Sequence, residues 1–390
     1  MTAARSASKA SATGLCPDLF ISTMDQKLAV TFTEADVLES ELLLEVNDLS
    51  KSYVLRGGFF DSPKGKIQAV DHVSFSIRRG QTLGLVGESG SGKTTTGRMV
   101  VRVVEPDSGE IAFWDEEVGR IDLAKLSNRA IRPLRKKIQM IFQDPYSSLD
   151  PRMTVMRIVA EPLRATGNAT KQATRDRVAE VLEMVGLGHE YMNRYPHAFS
   201  GGQRQRIGIA RALVTEPSLV VADEAVSALD VSVQAQILNL LRALQERLSL
   251  TYLFIAHDLG VVRYISDVVA VMYRGRLVEI ANKAELYSHP KHPYTESLLI
   301  AAPRPDPDQN PAETKPIDRL SADNVIVSGC PYFLRCSYRS EVCTREVPPL
   351  RDVGTGHKVA CHFDLTLTDL GSPAPRPITE SAPKNGPRDI

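Results

Sequence analysis

One loop constrains this chain more than any other feature: Gly87-Glu88-Ser89-Gly90-Ser91-Gly92-Lys93-Thr94. It fits the pattern G-x-x-x-x-G-K-[ST] and stands between segments of different periodicity. Before it, Gln81-Thr82-Leu83-Gly84-Leu85-Val86 reads as a short apolar strand. After it, residues 95–104 place Met99, Val100 and Val103 at helical spacing. A strand that turns into a helix through glycines leaves backbone N–H groups to wrap phosphate oxygens. Lys93 adds a cation for the β- and γ-phosphates, and Thr94 a hydroxyl for Mg²⁺. The bland alternative is a glycine-rich turn with an incidental lysine, and the flanking strand and helix speak against it. The expected class is α/β, with strands and helices alternating around a nucleotide.

A second anion site lies well away in sequence. Ser200-Gly201-Gly202-Gln203 follows Phe199, precedes Arg204-Gln205-Arg206, and opens a helix whose apolar part is residues 207–213. Bare N–H groups and a hydroxyl at a helix start are a second place for phosphate. Between this site and the chain's end, Leu219-Val220-Val221-Ala222 reads as a buried strand ending in Asp223 and Glu224. Asp223 is placed to hold Mg²⁺ through water, and Glu224 to polarise an attacking water. Alone, the pair would equally suit a solvated strand end. His257 closes another strand, Thr251-Tyr252-Leu253-Phe254-Ile255-Ala256. A lone histidine there is more often structural, but its place after paired carboxylates favours a γ-phosphate contact. Gln143, ending Ile138-Gln139-Met140-Ile141-Phe142, suits orienting water, ligating metal or capping the strand.

The Lys93 loop, Gln143, Ser200-Gly201-Gly202-Gln203, Asp223-Glu224, Ser227-Ala228-Leu229-Asp230 and His257 occur in that order. Over residues 43–290 this series resembles the ATP-binding subunit of ABC transporters. The resemblance implies a P-loop NTPase nucleotide-binding domain with a RecA-like core, an antiparallel β-subdomain and a helical subdomain at about residues 150–198. It implies that Tyr53 stacks on adenine and that Gly87, Glu88, Ser89, Gly90, Ser91, Gly92, Lys93, Thr94 and Thr95 bind the phosphates. Thr94, Gln143 and Asp223 would surround Mg²⁺, while Glu224, His257 and Gln143 would be catalytic. Ser200, Gly201, Gly202 and Gln203, with Asp230, would serve the ATP of another subunit.

Four stretches narrow the likeness to the oligopeptide/dipeptide importers: Val86-Gly87-Glu88-Ser89-Gly90-Ser91-Gly92-Lys93, Phe142-Gln143-Asp144-Pro145-Tyr146-Ser147-Ser148-Leu149-Asp150-Pro151-Arg152, the run from Asp223 to Ser232, and His292-Pro293-Tyr294-Thr295. Two residues depart from the pattern. Phe199 replaces a usual leucine and is expected to keep the helix start packed; Ala225 replaces a usual proline and is expected to loosen the turn. Neither predicts a dead site. The resemblance implies a second ATP-binding subunit (paralogue or self), two transmembrane permease subunits and an extracytoplasmic substrate-binding protein. It places the chain peripherally on the cytoplasmic face of a bacterial inner plasma membrane. Di- or oligopeptides lead as cargo, with nickel, glutathione or a sugar as alternatives. A non-transport ABC ATPase acting on DNA or ribosomes is the other class.

The whole chain sets bounds on these readings. Its 390 residues are 43% hydrophobic, ample for a sizeable core. Bases and acids balance at 47 each, so no global field steers nucleic acid, and none is expected as a partner. No run of 18 apolar residues occurs, so a membrane path would lie on other chains. Residues 1–42 read as a disordered or uncertain leader, residues 303–316 as a linker rich in Pro, Asp and Asn, and residues 365–390 as a disordered tail. Residues 174–185 carry Val178, Val181, Leu182 and Val185 on one helical face, and residues 232–248 form a second helix with Ser232 near its cap.

Four of five cysteines, Cys330, Cys336, Cys343 and Cys361, fall within residues 291–364, read as a C-terminal extension of the oligopeptide-transporter type. With no secretory signal, a reducing compartment is expected, which argues against disulfides. Four cysteines suit a [4Fe–4S] cluster or tetrahedral zinc; the spacings lack C-x₂-C pairs, and the extension resembles ones that hold a cluster, so the cluster is favoured. Unligated thiols remain a third option. Arg335, Arg339 and Arg345 are expected to offset thiolate charge. His357 and His362 are read as solvated loop residues rather than ligands, and Cys16 as a free thiol.

Overall fold

The computed structural model describes residues 41–55, 65–167, 170–301, 328–354 and 356–365. The leader up to residue 40 with Cys16, the linker at 303–316 and the tail beyond 365 lie outside the described residues. Two long strands, β1 (Leu42–Leu55) and β2 (Gly65–Arg78), pair antiparallel at the start. Along β2, buried Val73, Phe75 and Ile77 alternate with exposed Ser74, Ser76 and Arg78. That period of two is what a strand with one wet face requires. After β3 (Thr82–Val86) and α1 (Lys93–Val100) come β4 (Ser108–Asp115) and β5 (Gly119–Asp122), which join the first pair in a sheet ordered β2-β1-β4-β5. Helix α1 ends earlier than its apolar spacing suggests: Met99 and Val100 are buried, but Val103 lies beyond the helix and is exposed.

β6 (Ile138–Ile141) leads into a helical stretch: α2 (Val155–Val159), α3 (Glu161–Thr166), α4 (Lys171–Met184) and α5 (Gly201–Leu213). Thr170 caps α4 by accepting the Ala173 N–H, and the face expected from the sequence, Val178, Val181, Leu182 and Val185, is fully buried. The chain then alternates β7 (Leu219–Asp223), α6 (Val231–Leu248), β8 (Thr251–Ala256), α7 (Leu259–Ile265), β9 (Val268–Tyr273) and β10 (Arg276–Asn282). Asp230, not Ser232, takes the cap position of α6.

Strands β6, β7, β8, β3 and β9 run parallel in that spatial order, and every residue of β3, β7 and β8 is buried. Continuous apolar runs fit this position, because both faces of a parallel sheet are covered. Alternate side chains enter opposite layers: Leu83, Leu85, Val221, Leu253 and Ile255 join one apolar cluster, while Val86, Val220, Tyr252 and Phe254 join the other. The β3–α1 turn and the carboxyl ends of β6, β7 and β8 thus emerge side by side.

The segment after β10 folds back onto this sheet. It contains α8 (Lys283–Ser288), α9 (Pro293–Ala301), α10 (Val342–Arg345), β11 (Arg351–Asp352) and β12 (Lys358–Val359). β12 pairs antiparallel with β10 and extends the sheet. Glu279, wholly buried on β10, accepts the backbone N–H groups of Lys291 and His292 at 2.7 and 3.0 Å and lies 2.7 Å from His357 Nε2. Three partners offset the cost of burying a carboxylate and stitch the extension to the core.

Candidate functional site

The Lys93 loop is built on glycines that the surrounding backbone demands. A Cβ on Gly87 would lie 2.1 Å from the Met272 carbonyl oxygen, and one on Gly92, at φ +104°, 2.2 Å from that of Ala69. The loop therefore passes flush against two strands. Lys93 is buried, and its ammonium donates to the carbonyls of Gly87 (2.8 Å) and Glu88 (2.9 Å) and to Ser91 Oγ (3.4 Å). Burial lowers its pKa, with the charges of Glu224, Asp223 and Glu88 opposing that shift. A cation held only by neutral oxygens is free to exchange them for phosphate.

At the end of β7, Asp223 is almost fully buried, and Thr94 donates its hydroxyl to Asp223 Oδ1 at 2.9 Å. Desolvation raises the Asp223 pKa, against the Thr94 hydrogen bond. A hydroxyl and a desolvated carboxylate beside an anion loop are oxygen donors of the kind that Mg²⁺ takes. Glu224, one residue on, has φ +47°, a left-handed conformation rare for a side chain of its kind. The turn is fixed by Glu224 N–H to the Ile255 carbonyl (2.9 Å) and by the Ser227 N–H and hydroxyl to the Glu224 carbonyl (3.1 and 3.0 Å). So Ala225, itself buried, does not leave the turn unsupported. The Glu224 carboxylate accepts Gln143 Nε2 at 2.7 Å and lies 3.4 Å from His257 Nδ1. Three strand ends neighbouring in the sheet thereby converge on one carboxylate.

Ser200 and Gln203 occupy different surroundings. They form a reciprocal cap: Ser200 Oγ accepts the Gln203 N–H at 3.3 Å, and Gln203 Oε1 accepts the Ser200 N–H at 3.1 Å. Ser200 is exposed, and no hydrogen bond among the described residues joins this cap to the Lys93 loop. Phe199 is buried and meets the Tyr191 ring edge-on at 5.6 Å, so the helix start stays packed. Gly202 abuts Val233, where a Cβ would come within 2.6 Å of its Cγ1. Asp230 is exposed; Tyr53 is 43% exposed on β1, with Lys51 Nζ 5.8 Å from its ring centre.

Residues 70–227 match the family model for ABC transporters, and residues 278–343 match that for the C-terminal region of oligopeptide/dipeptide transporters. The oligopeptide transport ATP-binding protein AppF of Bacillus subtilis is 45% identical over 83% of this chain and 98% of its own length. The chain belongs to the oligopeptide/dipeptide branch of the ABC transporter ATP-binding proteins. Similar too are OppF of the same organism, 54% identical over 69% of this chain and 85% of its own, and a putative peptide import ATP-binding protein of Brucella ovis, 50% identical over 83% and 98%. Among solved structures, the dimeric bacterial ABC transporter cassette MJ0796 superimposes with a TM-score of 0.54 at 28% identity, covering 62% of this chain and 99% of that one. The fold is therefore that of an ABC ATPase, as the motif series implies.

The cysteine extension departs from expectation. Cys330, Cys336, Cys343 and Cys361 are free thiols, and the Cys330 N–H donates to the Cys343 carbonyl at 2.8 Å. Burial, reinforced by neighbouring thiols, pushes Cys336 and Cys361 up to about 12 and raises Cys330 as well. Among the described residues, no three of His, Cys, Asp or Glu are arranged to hold a metal ion. The expected [4Fe–4S] cluster or zinc is thus not supported by the arrangement of the described residues. The arginines do not offset thiolates either: Arg335 pairs with Glu88, Arg345 with Glu341, and Arg339 donates to the Leu334 carbonyl. His357 is no solvated loop residue; it is buried against Glu279, and His362 meets the Glu346 carbonyl.

Proposed function

We propose that this chain hydrolyses ATP to power an ABC importer of di- or oligopeptides. The observation that carries the chemistry is the convergence of Gln143, Glu224 and His257 beside the Lys93 loop and the Thr94–Asp223 pair. The peptide cargo is supported by the oligopeptide/dipeptide C-terminal match and by the relatives, which are named as oligopeptide transport or putative peptide import ATP-binding proteins.

In this reading Tyr53 stacks on adenine. Gly87, Glu88, Ser89, Gly90, Ser91, Gly92, Lys93, Thr94 and Thr95 wrap the phosphates, Lys93 exchanging loop carbonyls for β- and γ-oxygens. Thr94 and Asp223, with Gln143, would hold Mg²⁺, which supplies charge neutralisation on the phosphates. Glu224 accepts the proton of the attacking water. Gln143 and His257 set the carboxylate's direction and reach the γ-phosphate side.

The chain carries one complete loop and one Ser200 helix start, so two subunits would share two nucleotides. The Ser200-Gly201-Gly202-Gln203 cap of one subunit, with Asp230, would close on the ATP of the other. Hydrolysis would remove the charge bridging them and let them part. The second subunit would be a copy or a paralogue.

Among the described residues, no helix is long and apolar enough to cross a membrane. Two permease subunits and an extracytoplasmic binding protein would supply the path and the cargo, with this chain on the cytoplasmic face of an inner membrane. A groove of about 1220 Å³ beside Gln143, lined by Phe142, Ser148, Asp150, Met153 and Arg211, is where the permease would press. Residues 43–290 would form the nucleotide-binding domain, with a helical subdomain at about 150–198, and residues 291–364 the extension.

The test is transport. Cells whose only copy carries Glu224→Gln lose uptake of labelled di- and tripeptides. Retained peptide uptake, with loss of nickel or glutathione uptake instead, would replace the cargo.

A further inference from the structure

Glu88 is the one acidic residue of the phosphate loop. A carboxylate there opposes a triphosphate, so its surroundings matter. Each of its polar groups is engaged. Its N–H donates to the Tyr294 hydroxyl at 2.9 Å, and its carbonyl accepts Lys93 Nζ at 2.9 Å. Its carboxylate takes both terminal nitrogens of Arg335, each at 2.9 Å. Arg335 lies 247 positions downstream, in the cysteine extension, one residue before Cys336.

The partners are themselves held. Tyr294, on α9, is fully buried, with Tyr273 and Tyr332 at 4.5 and 5.4 Å between ring centres. The Arg335 guanidinium lies 5.9 Å from the Tyr273 ring centre and 5.7 Å from that of Tyr332. A fork fixed between aromatic rings matches a carboxylate with little further ordering. The Arg335 N–H donates to the Tyr332 carbonyl, which sets the turn that carries it.

We propose that Arg335 is a positioning residue for ATP binding: by pairing with Glu88 it cancels the loop's negative charge and ties the loop's shape to the C-terminal extension. The inference rests on the Lys93 loop being the ATP grip. Without Arg335, the Glu88 carboxylate would face the incoming phosphates, or swing toward Lys93 and compete for its ammonium. A second consequence is that disturbance of the segment around Cys330 and Cys336 would reach the phosphate loop through Tyr332 and Arg335.

The experiment measures the dissociation constant of a fluorescent ATP analogue on the full-length chain. Arg335→Gln raises it about three- to tenfold, more at low salt than at high, since both partners are partly exposed and screened. Adding Glu88→Gln to that variant recovers most of the loss, which a merely structural brace would not allow. For ATP hydrolysis, KM moves more than kcat, because Gln143, Glu224 and His257 are untouched. Arg335→Lys keeps the charge but loses the fork, falls between, and carries the same test should Arg335→Gln disturb folding. An unchanged constant in these variants, or a loss that Glu88→Gln leaves in place, overturns the proposal. Absence of binding by the unaltered chain overturns the site reading instead.

Discussion

The Lys93 loop and the Ser200 helix start both offer backbone N–H groups to an anion, but the first is braced on every side. Strand carbonyls press on its glycines, Tyr294 holds the Glu88 N–H, Arg335 holds its carboxylate, and the buried Lys93 already points inward. Ser200 is exposed, its side chain bonds to the Gln203 N–H, and no hydrogen bond among the described residues ties this cap to the Lys93 loop. A grip meant for the chain's own nucleotide gains from preorganisation, because ordering it at binding would weaken affinity. A grip meant for a neighbour's nucleotide must stay accessible, and satisfying its donors internally keeps it stable until then.

Removing the chemistry from the braced side gives the largest effect. Glu224→Gln should lower ATP hydrolysis by about 10²- to 10⁴-fold, the usual worth of a general base, while ATP still binds. Steady-state phosphate release checks this; near-normal turnover would take Glu224 out of its role.

The second effect concerns the brace itself. His292, at the start of α9 two residues before Tyr294, is wholly buried; desolvation holds its pKa at about 3 against an ordinary 6.5. A depressed folded value means the unfolded chain binds more protons between those limits, so stability is full above about pH 6.5 and drains away on acidification toward pH 3. His292 alone should cost about 2 kcal/mol between pH 7 and pH 5. Urea unfolding of the parent and of His292→Gln reads the difference; equal pH dependence in the two would remove His292 as the source.

The smallest effect is expected at the cysteines. Thiols held protonated up to about 12 should alkylate slowly at neutral pH and fully only after denaturation. Anaerobically purified protein should carry no stoichiometric iron or zinc. A broad visible absorption with about four irons per chain would show instead that the thiols close on a cluster.

The contrast between the grips was partly legible in sequence. The loop glycines, Lys93 and the strand-end carboxylates stand out because local backbone geometry and apolar runs encode them. The capping pair Ser200 and Gln203 is local too. What sequence did not reveal depends on contacts across the fold. Glu224 at φ +47° follows from the turn that Ser227 and Ile255 close. The Glu88–Arg335 pair and the Glu279–His357 pair join residues that no periodicity connects. Val103 looked helical because its spacing fits, yet the helix stops at Val100. The cysteines read as metal ligands because composition counts thiols but not how the fold arranges them, and no metal-holding group is formed among the described residues.

Whether the two grips serve different nucleotides is tested most directly by Ser200→Arg, with ATP binding and ATP hydrolysis both measured in the assembled transporter. ATP should bind at the Lys93 loop with the parent's affinity while hydrolysis is lost, because the arginine blocks closure by the other subunit. Parent-level hydrolysis in Ser200→Arg, or loss of ATP binding along with it, would contradict that division of roles.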